Sequence, residues 1–185
     1  MQKPATQAVG GTRADPRAGD PRTYDTFGSD SWASLVARAN VRVTGNISPT
    51  PSGSSSTCNM YSSNWGEPNR GRNAVVGCQG YMPIIYSPGD LDLQNGRGQG
   101  ILIVDGRLRL RGNFQFVGLI LVRDEFEAEG TTDVWGAVMS RNADGSETRV
   151  RGNAYLAYSR CAVDKALGGL GSPVRLRERA WANGY

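Results

Sequence analysis

From Met82 onward the chain alternates apolar and polar residues in short runs broken by Gly, and the alternation recurs at a fixed interval. Gly100-Ile-Leu-Ile-Val-Asp105 returns as Gly118-Leu-Ile-Leu-Val-Arg123 and again as Gly136-Ala-Val-Met-Ser-Arg141, a period of 18. Arg111-Gly112-Asn113 returns as Glu129-Gly130-Thr131 at the same interval. It returns again as Arg151-Gly152-Asn153 after 22, the four extra residues fitting a turn at Ala143-Asp144-Gly145-Ser146. An earlier copy, Pro83-Ile-Ile-Tyr86 with Leu91-Asp-Leu-Gln94, is offset by about one residue. Short alternating strands separated by Gly at such a period are what stacked coils need, because each strand pairs with its equivalent one coil away. The predicted fold is mainly β: a single-stranded, right-handed parallel β-helix of about four coils.

Charge follows the same period. In Arg107-Leu-Arg-Leu-Arg111 the Arg alternate with Leu, so Arg107, Arg109 and Arg111 face solvent while Leu108 and Leu110 face the core. One coil on, Glu125, Glu127 and Glu129 fall beside them, and Arg149 and Arg151 follow in the next coil. Asp90, Asp92 and Gln94 precede them. Opposite charges at one offset form a ladder that fixes the register of parallel strands. Ile101 to Val104 and Leu119 to Val122 are apolar on both faces and require cover outside as well as inside. A helix around Trp32 to Val36 is the natural cover within the chain. A neighbouring subunit is the alternative, which makes Ile101, Leu119, Ile120 and Val122 candidate subunit contacts.

The flanks divide the rest. Residues 1–26 are rich in Pro, Gly, Asp and Arg and read as an extended arm that a partner or the domain surface would order. Residues 27–80 hold a short helix from about Ser31 to Ala39, capped by Ser29 or Asp30, and a loop region with Trp65 and Tyr61 as fill. Residues 81–160 are the solenoid. Residues 161–185 are a cap and tail: Ser159 to Leu167 reads as a helix closing the last coil, with Val174, Leu176 and Trp181 free to dock. Trp181 joins the candidate subunit contacts.

Composition narrows the chemistry. The chain has no His, which removes the commonest general base and metal ligand, and no nucleotide-binding or nucleophile motif is present. Of 21 basic residues only Lys3 and Lys165 are Lys, and the Arg are matched by acids, so the net charge of +4 is no nucleic-acid footprint. Cys58 and Cys78 lie in a polar, Gly/Ser/Asn-rich stretch where an extracellular disulfide would be useful; two reduced thiols are the alternative. Cys161 is the odd one, buried or paired outside the chain. Asp144-Gly-Ser-Glu147 is ordinary loop chemistry with only a faint likeness to a calcium turn. No metal or cofactor is expected. MQKPATQAVGG has no apolar stretch of signal-peptide type, so export would rest on a removed leader or a partner, as would any membrane contact.

Phe27-Gly-Ser-Asp-Ser-Trp32, Cys58, Asn64-Trp-Gly-Glu-Pro68, Cys78, Pro83-Ile-Ile-Tyr86, Gly98-Gln-Gly-Ile-Leu-Ile-Val-Asp105, Tyr158-Ser-Arg-Cys-Ala162 and Arg179-Ala-Trp181 stand in an order that resembles PilX-like, prepilin-type exported bacterial proteins. The resemblance covers about residues 25–185. It implies a globular part ending in a β-solenoid, which in that family follows a hydrophobic prepilin helix. That helix is missing here, so a filament role implies a separate helical pilin chain or a processed globular part. The solenoid also resembles bactofilins, which polymerise end to end.

Three functions follow as expectations. The first is a structural subunit of an extracellular, pilus-like filament at the cell surface, assembling with itself or with a helical chain. The second is a secreted adhesive or carbohydrate-binding module using Trp135 and Tyr155. The third, an enzyme, is discounted because each clustered Glu has an Arg neighbour at the coil spacing.

Overall fold

A computed structural model describes residues 8–9, 25–27, 30–141, 149–168 and 170. The strands are β1 (Ala8–Val9), β2 (Thr26–Phe27), β3 (Asp30–Ser31), β4 (Val41–Arg42), β5 (Gly45–Ile47) and β6 (Ile84–Ser87). They continue with β7 (Leu91–Val104), β8 (Leu108–Val122), β9 (Phe126–Ala128), β10 (Asp133–Ser140), β11 (Arg149–Val150) and β12 (Tyr155–Tyr158). Two helices, α1 (Trp32–Ala37) and α2 (Arg160–Leu167), complete the set. Every strand pair of the main sheet is parallel, and the strands stack as a β-solenoid of about four turns. The long strands β7 and β8 each run through two bends, so each turn presents three walls.

The register obeys the sequence period. Leu108 pairs with Phe126 and Gly118 with Gly136, steps of 18. Val134 pairs with Leu156, a step of 22. Leu91 pairs with Leu108, a step of 17, and a bulge between Gln94 and Gly96 restores 18. At that bulge Asn95 takes φ 60°, the left-handed conformation that Gly112, Gly130 and Gly152 adopt in later turns. Its Oδ1 accepts the Asn113 amide at 2.9 Å.

Inside, Leu102, Val104, Ile120 and Val122 fill the first wall, Leu91, Leu93, Leu108, Leu110 and Phe126 the second, and Phe114, Phe116 and Val134 the third. The solenoid also starts earlier than the sequence indicates. β4 stacks on β6 through Val41 and Ile85, and β5 on β7 through Gly45 and Leu91. The first turn was hidden because residues 48–83 are inserted into it. The boundary expected near residue 81 therefore moves back to Val41. Within that insertion Trp65 is wholly buried in the main core, beside Gly98, whose missing side chain leaves it room. Tyr61, expected as fill, is exposed instead.

The apolar outer face is covered from within the chain. Ile101, Ile103, Leu119 and Leu121 pack with Trp32 and Leu35 of α1 and Ala166 of α2. Ile101 and Leu119 thus lie beneath the helices, while Ile120 and Val122 point into the solenoid, so all four are buried within the chain itself. Trp181, Val174 and Leu176 lie outside the described residues, as does the Asp144–Glu147 turn. The cap of α1 is Ser31, whose side chain accepts the Ser34 amide, rather than Ser29 or Asp30. A polar cluster fixes the helix to the wall. Trp32 Nε1 donates to Asp105 at 2.9 Å, the Tyr86 hydroxyl donates to the other Asp105 oxygen, and Arg123 lies 4.5 Å over the Trp32 ring. That hydrogen bond, with burial, pushes the Tyr86 pKa up.

Helix α2 does not close the last turn as expected. Its apolar residues Ala166 and Leu167 join the outer cluster, so it lies on the flank beside α1. The last turn is instead extended by the arm: Ala8 pairs with Leu156 and Val9 with Ala157, in parallel register. The arm thus reaches back to its own domain at these residues.

One corner is the tightest point of the fold. Gly100, Gly118 and Gly136 stack with φ of 113°, 142° and 146°. A Cβ on Gly118 would sit 2.0 Å from the Gly100 carbonyl oxygen, and one on Gly136 1.8 Å from that of Gly118. A side chain there meets rigid backbone and a disfavoured conformation together. Gly118→Ala is expected to cost about 2–4 kcal/mol of unfolding free energy in urea titration. Gly89→Ala, where the added methyl meets nothing within 4 Å, should change it by under about 0.5 kcal/mol.

Candidate functional site

The charge ladder forms the outer side of the second wall. Asp92, Arg109, Glu127 and Arg149 lie in one register line across four turns. Arg109 Nε meets Glu127 at 2.9 Å. Arg107 is held by Asp90 at 3.0 Å and lies 4.0 Å from Glu125. The third expected column stays open, since no ion pair joins Arg111 to Glu129 or Glu129 to Arg151. The backbone keeps its register there, with the Glu129 amide donating to the Leu110 carbonyl and the Arg151 amide to the Ala128 carbonyl, both at 2.8 Å, so the column is aligned in the main chain but its side chains do not close into ion pairs. Glu127 stands between two Arg in register but pairs closely only with Arg109. On this wall Asp90 and Glu127 are closely engaged by guanidinium groups, and the alternation of charge matches the register.

The third wall differs. Its outward positions make two rows across the turns: Arg97, Gln115, Asp133 and Tyr155, and alongside them Gln99, Val117, Trp135 and Ala157. With rungs about 4.8 Å apart, each row spans about 14 Å. At its later end Trp135 is 42% exposed and its ring lies 5.1 Å from that of the half-buried Tyr155, tilted by 52°. Tyr158 nearby is 56% exposed. Exposed aromatic side chains on a rigid sheet are an uncommon surface feature and a usual sign of contact with a partner.

At its earlier end the inserted loops close over the wall. The Cys58–Cys78 disulfide forms. Gln99, almost wholly buried, donates through Nε2 to the carbonyls of Tyr81 and Gln79. Glu67, also buried, clamps Arg97 with two hydrogen bonds of 2.8 Å and accepts the amides of Asn69 and Val75 at 3.0 and 3.1 Å. Burial pushes the Glu67 pKa up, but the hydrogen bonds from Arg97, Val75 and Asn69 outweigh it and hold the carboxyl below its ordinary value. Beside this clamp lies an open cleft of about 290 Å³, lined by Asn69, Gly71, Arg72, Asn73, Ala74 and Arg97.

Neither Glu67 nor Arg97 stood out in the sequence. The period does supply the signal: 18 residues back from Gln115 lies Arg97, at an outward position of the third wall. Trp135 and Tyr155 were expected on adjacent coils, and they are. Cys161 is exposed and unpaired. Among the described residues no group of three His, Cys, Asp or Glu side chains could hold a metal ion, and no helix is long and apolar enough to cross a membrane. Compared with protein-family models, curated proteins and solved structures, the chain matches none.

Two tests follow. Reversing Glu127 to Arg places it between Arg109 and Arg149, so a loss of about 1–2 kcal/mol is expected in urea titration, with Arg109→Glu recovering part of it. Glu67 makes the acid limb of stability its own. Because its folded pKa is depressed, its contribution is complete above its unfolded value near 4.5 and fades as pH falls through the folded value. Thermal melts from pH 7 down to pH 3 should show this fall, and Glu67→Gln should be less stable at pH 7 with a flatter acid limb.

Proposed function

We propose that this protein is an extracellular, non-catalytic carbohydrate-binding module whose third wall carries a polysaccharide chain. The observation that carries this reading is the exposed Trp135, paired with Tyr155 on the adjacent turn of a rigid parallel wall. A pyranose ring directs C–H bonds toward the electron-rich face of an aromatic ring and keeps its hydroxyls in water, so aromatic platforms suit sugars. The straight wall repeats its outward positions one turn apart, with Gln115 one rung from Asp133, so a repeating ligand meets it at regular spacing. An oxidising, extracellular setting fits the Cys58–Cys78 disulfide in a loop region with few apolar side chains. A non-catalytic role is supported by the state of the carboxylates most suited to acid–base work: Glu127 is paired with Arg109, and Glu67 is held ionised by Arg97.

A second reading, a subunit of a pilus-like surface filament assembled from copies of itself or with a separate helical chain, keeps one specific observation in its favour. Among the described residues the first-turn strands β4 and β5 each pair on one side alone, and such a parallel edge is a template for a further strand. The apolar wall that first suggested a subunit contact is taken up by α1 and α2, which lowers the filament reading below the first.

Affinity electrophoresis through a panel of soluble polysaccharides (xylan, mannan, hydroxyethyl cellulose, alginate, hyaluronan, xanthan) separates the two. Retardation by at least one polymer is expected, with Trp135→Ala weakening it about tenfold or more at unchanged melting temperature. No retardation by any of them, with the protein sedimenting as long fibres, would favour the filament.

A further inference from the structure

Resting on that carbohydrate reading, we infer that the ligand is an anionic polysaccharide, and that the cleft at Arg97 and Arg72 receives one of its carboxylate groups. The cleft and the aromatic pair share one wall. Arg97 lies in register with Gln115, Gln115 with Asp133, and Asp133 with Tyr155, so a chain lying across the turns from Trp135 and Tyr155 reaches the cleft after about 14 Å.

The cleft is built for an anion. Glu67 occupies Nε and Nη2 of Arg97 and holds the guanidinium in a fixed orientation. Of the five donors that an arginine carries, three remain for a ligand. The buried carboxylate cancels the Arg97 charge, so the local positive charge comes from Arg70 and Arg72, both exposed and neither in an ion pair among the described residues. They differ in this from Arg107, Arg109 and Arg123, each of which faces an acid. Pinning the loop to the wall accounts for Glu67 and Arg97. It does not account for Arg72 and Asn73 standing around an open space beside them. A planar guanidinium held rigid beside a second, exposed one is suited to a carboxylate approaching in a plane. The inserted loops are then more than a plug for the first turn, since they supply the half of the site that reads charge.

The test compares each acidic polymer that the protein retains with its carboxyl-reduced form, which keeps the sugar backbone and loses the charge. Wild-type protein is expected to bind the acidic form about fivefold or more tightly, with the difference shrinking as salt rises from about 20 to about 300 mM, conditions chosen to span about a fourfold change in screening length. Arg70→Gln with Arg72→Gln should abolish that preference, bringing the acidic form down to the affinity of the reduced form. Both side chains are exposed and unpaired, so the variant should fold as the wild type does. Trp135→Ala should weaken both forms alike. Equal affinity for the two forms, or a preference that survives the double Gln substitution, overturns the charge-reading cleft and leaves the carbohydrate module standing. Failure to bind any polymer in either form overturns both.

Discussion

A parallel solenoid has no hairpins to set its register, so each turn must be located against the next by what lies at its corners. Here the corner is the stack of Gly100, Gly118 and Gly136. Each adopts a positive φ; Gly118 and Gly136 approach the carbonyl of the glycine before, and Gly100 that of Pro83, so closely that a single carbon atom would not fit. A slip of one residue would place Gln99, Val117 or Trp135 in that gap and turn the inward Phe114, Phe116 and Val134 toward water. The apolar interior supplies most of the stabilisation, but it tolerates many pairings of similar residues. The glycine stack tolerates one. The Arg109–Glu127 pair and its neighbours act in the same direction with smaller energies, because partly exposed ion pairs are worth only about 0.2–1 kcal/mol each.

This division explains why the fold was legible. Periodic glycines and alternating charges are local facts of composition that repeat, and a repeat at one interval constrains every strand at once. Where the period was interrupted, legibility failed. The first turn went unseen because 36 residues, 48–83, are inserted between β5 and β6, so Val41 and Ile85 lie 44 positions apart while occupying adjacent rungs. The ladder's third column was over-read for a related reason. Sequence spacing places Arg111 beside Glu129, and the main chain keeps them one turn apart, but spacing does not show whether two long side chains close into an ion pair. Helix α2 was correctly placed in the sequence and wrongly placed in space, since an apolar face gives a helix something to bury without saying whether the end or the flank of the solenoid will accept it.

The two-sided apolar wall shows how a feature can be read correctly and assigned to the wrong partner. Ile101, Ile103, Leu119 and Leu121 do need cover, and the chain supplies it from residues some 70 positions upstream and 50 downstream, roughly, locked by Asp105 to Trp32 and Tyr86. With that wall covered and the second wall occupied by the charge ladder, the later part of the third wall is left to present exposed aromatic rings. Its residues carried no sequence signature as a group, because Arg97, Gln115, Asp133 and Tyr155 come from four different turns and become neighbours only through the register. The candidate site is therefore a product of the fold in a strong sense: no local motif encodes it, and the period that encodes the fold also encodes the row.

That origin bears on how such a site can change. On a solenoid an outward side chain on one turn can be replaced with little effect on the inward side chains that hold the fold, since alternation separates the two sets. Trp135 is flanked by the inward Val134 and the corner glycine Gly136, both fixed by packing, while its own position is free of that demand. The inserted loops follow the same logic at larger scale. They leave the solenoid after β5 and return at β6, with Trp65 driven into the first turn as an anchor and Glu67 clamping Arg97 two residues later. The anchor and the clamp together fix a polar loop on a rigid wall, and that fixing is what turns scattered arginines into a cleft. A loop tethered only at its ends would present the same residues without the geometry, and the ordering entropy would then fall on the ligand.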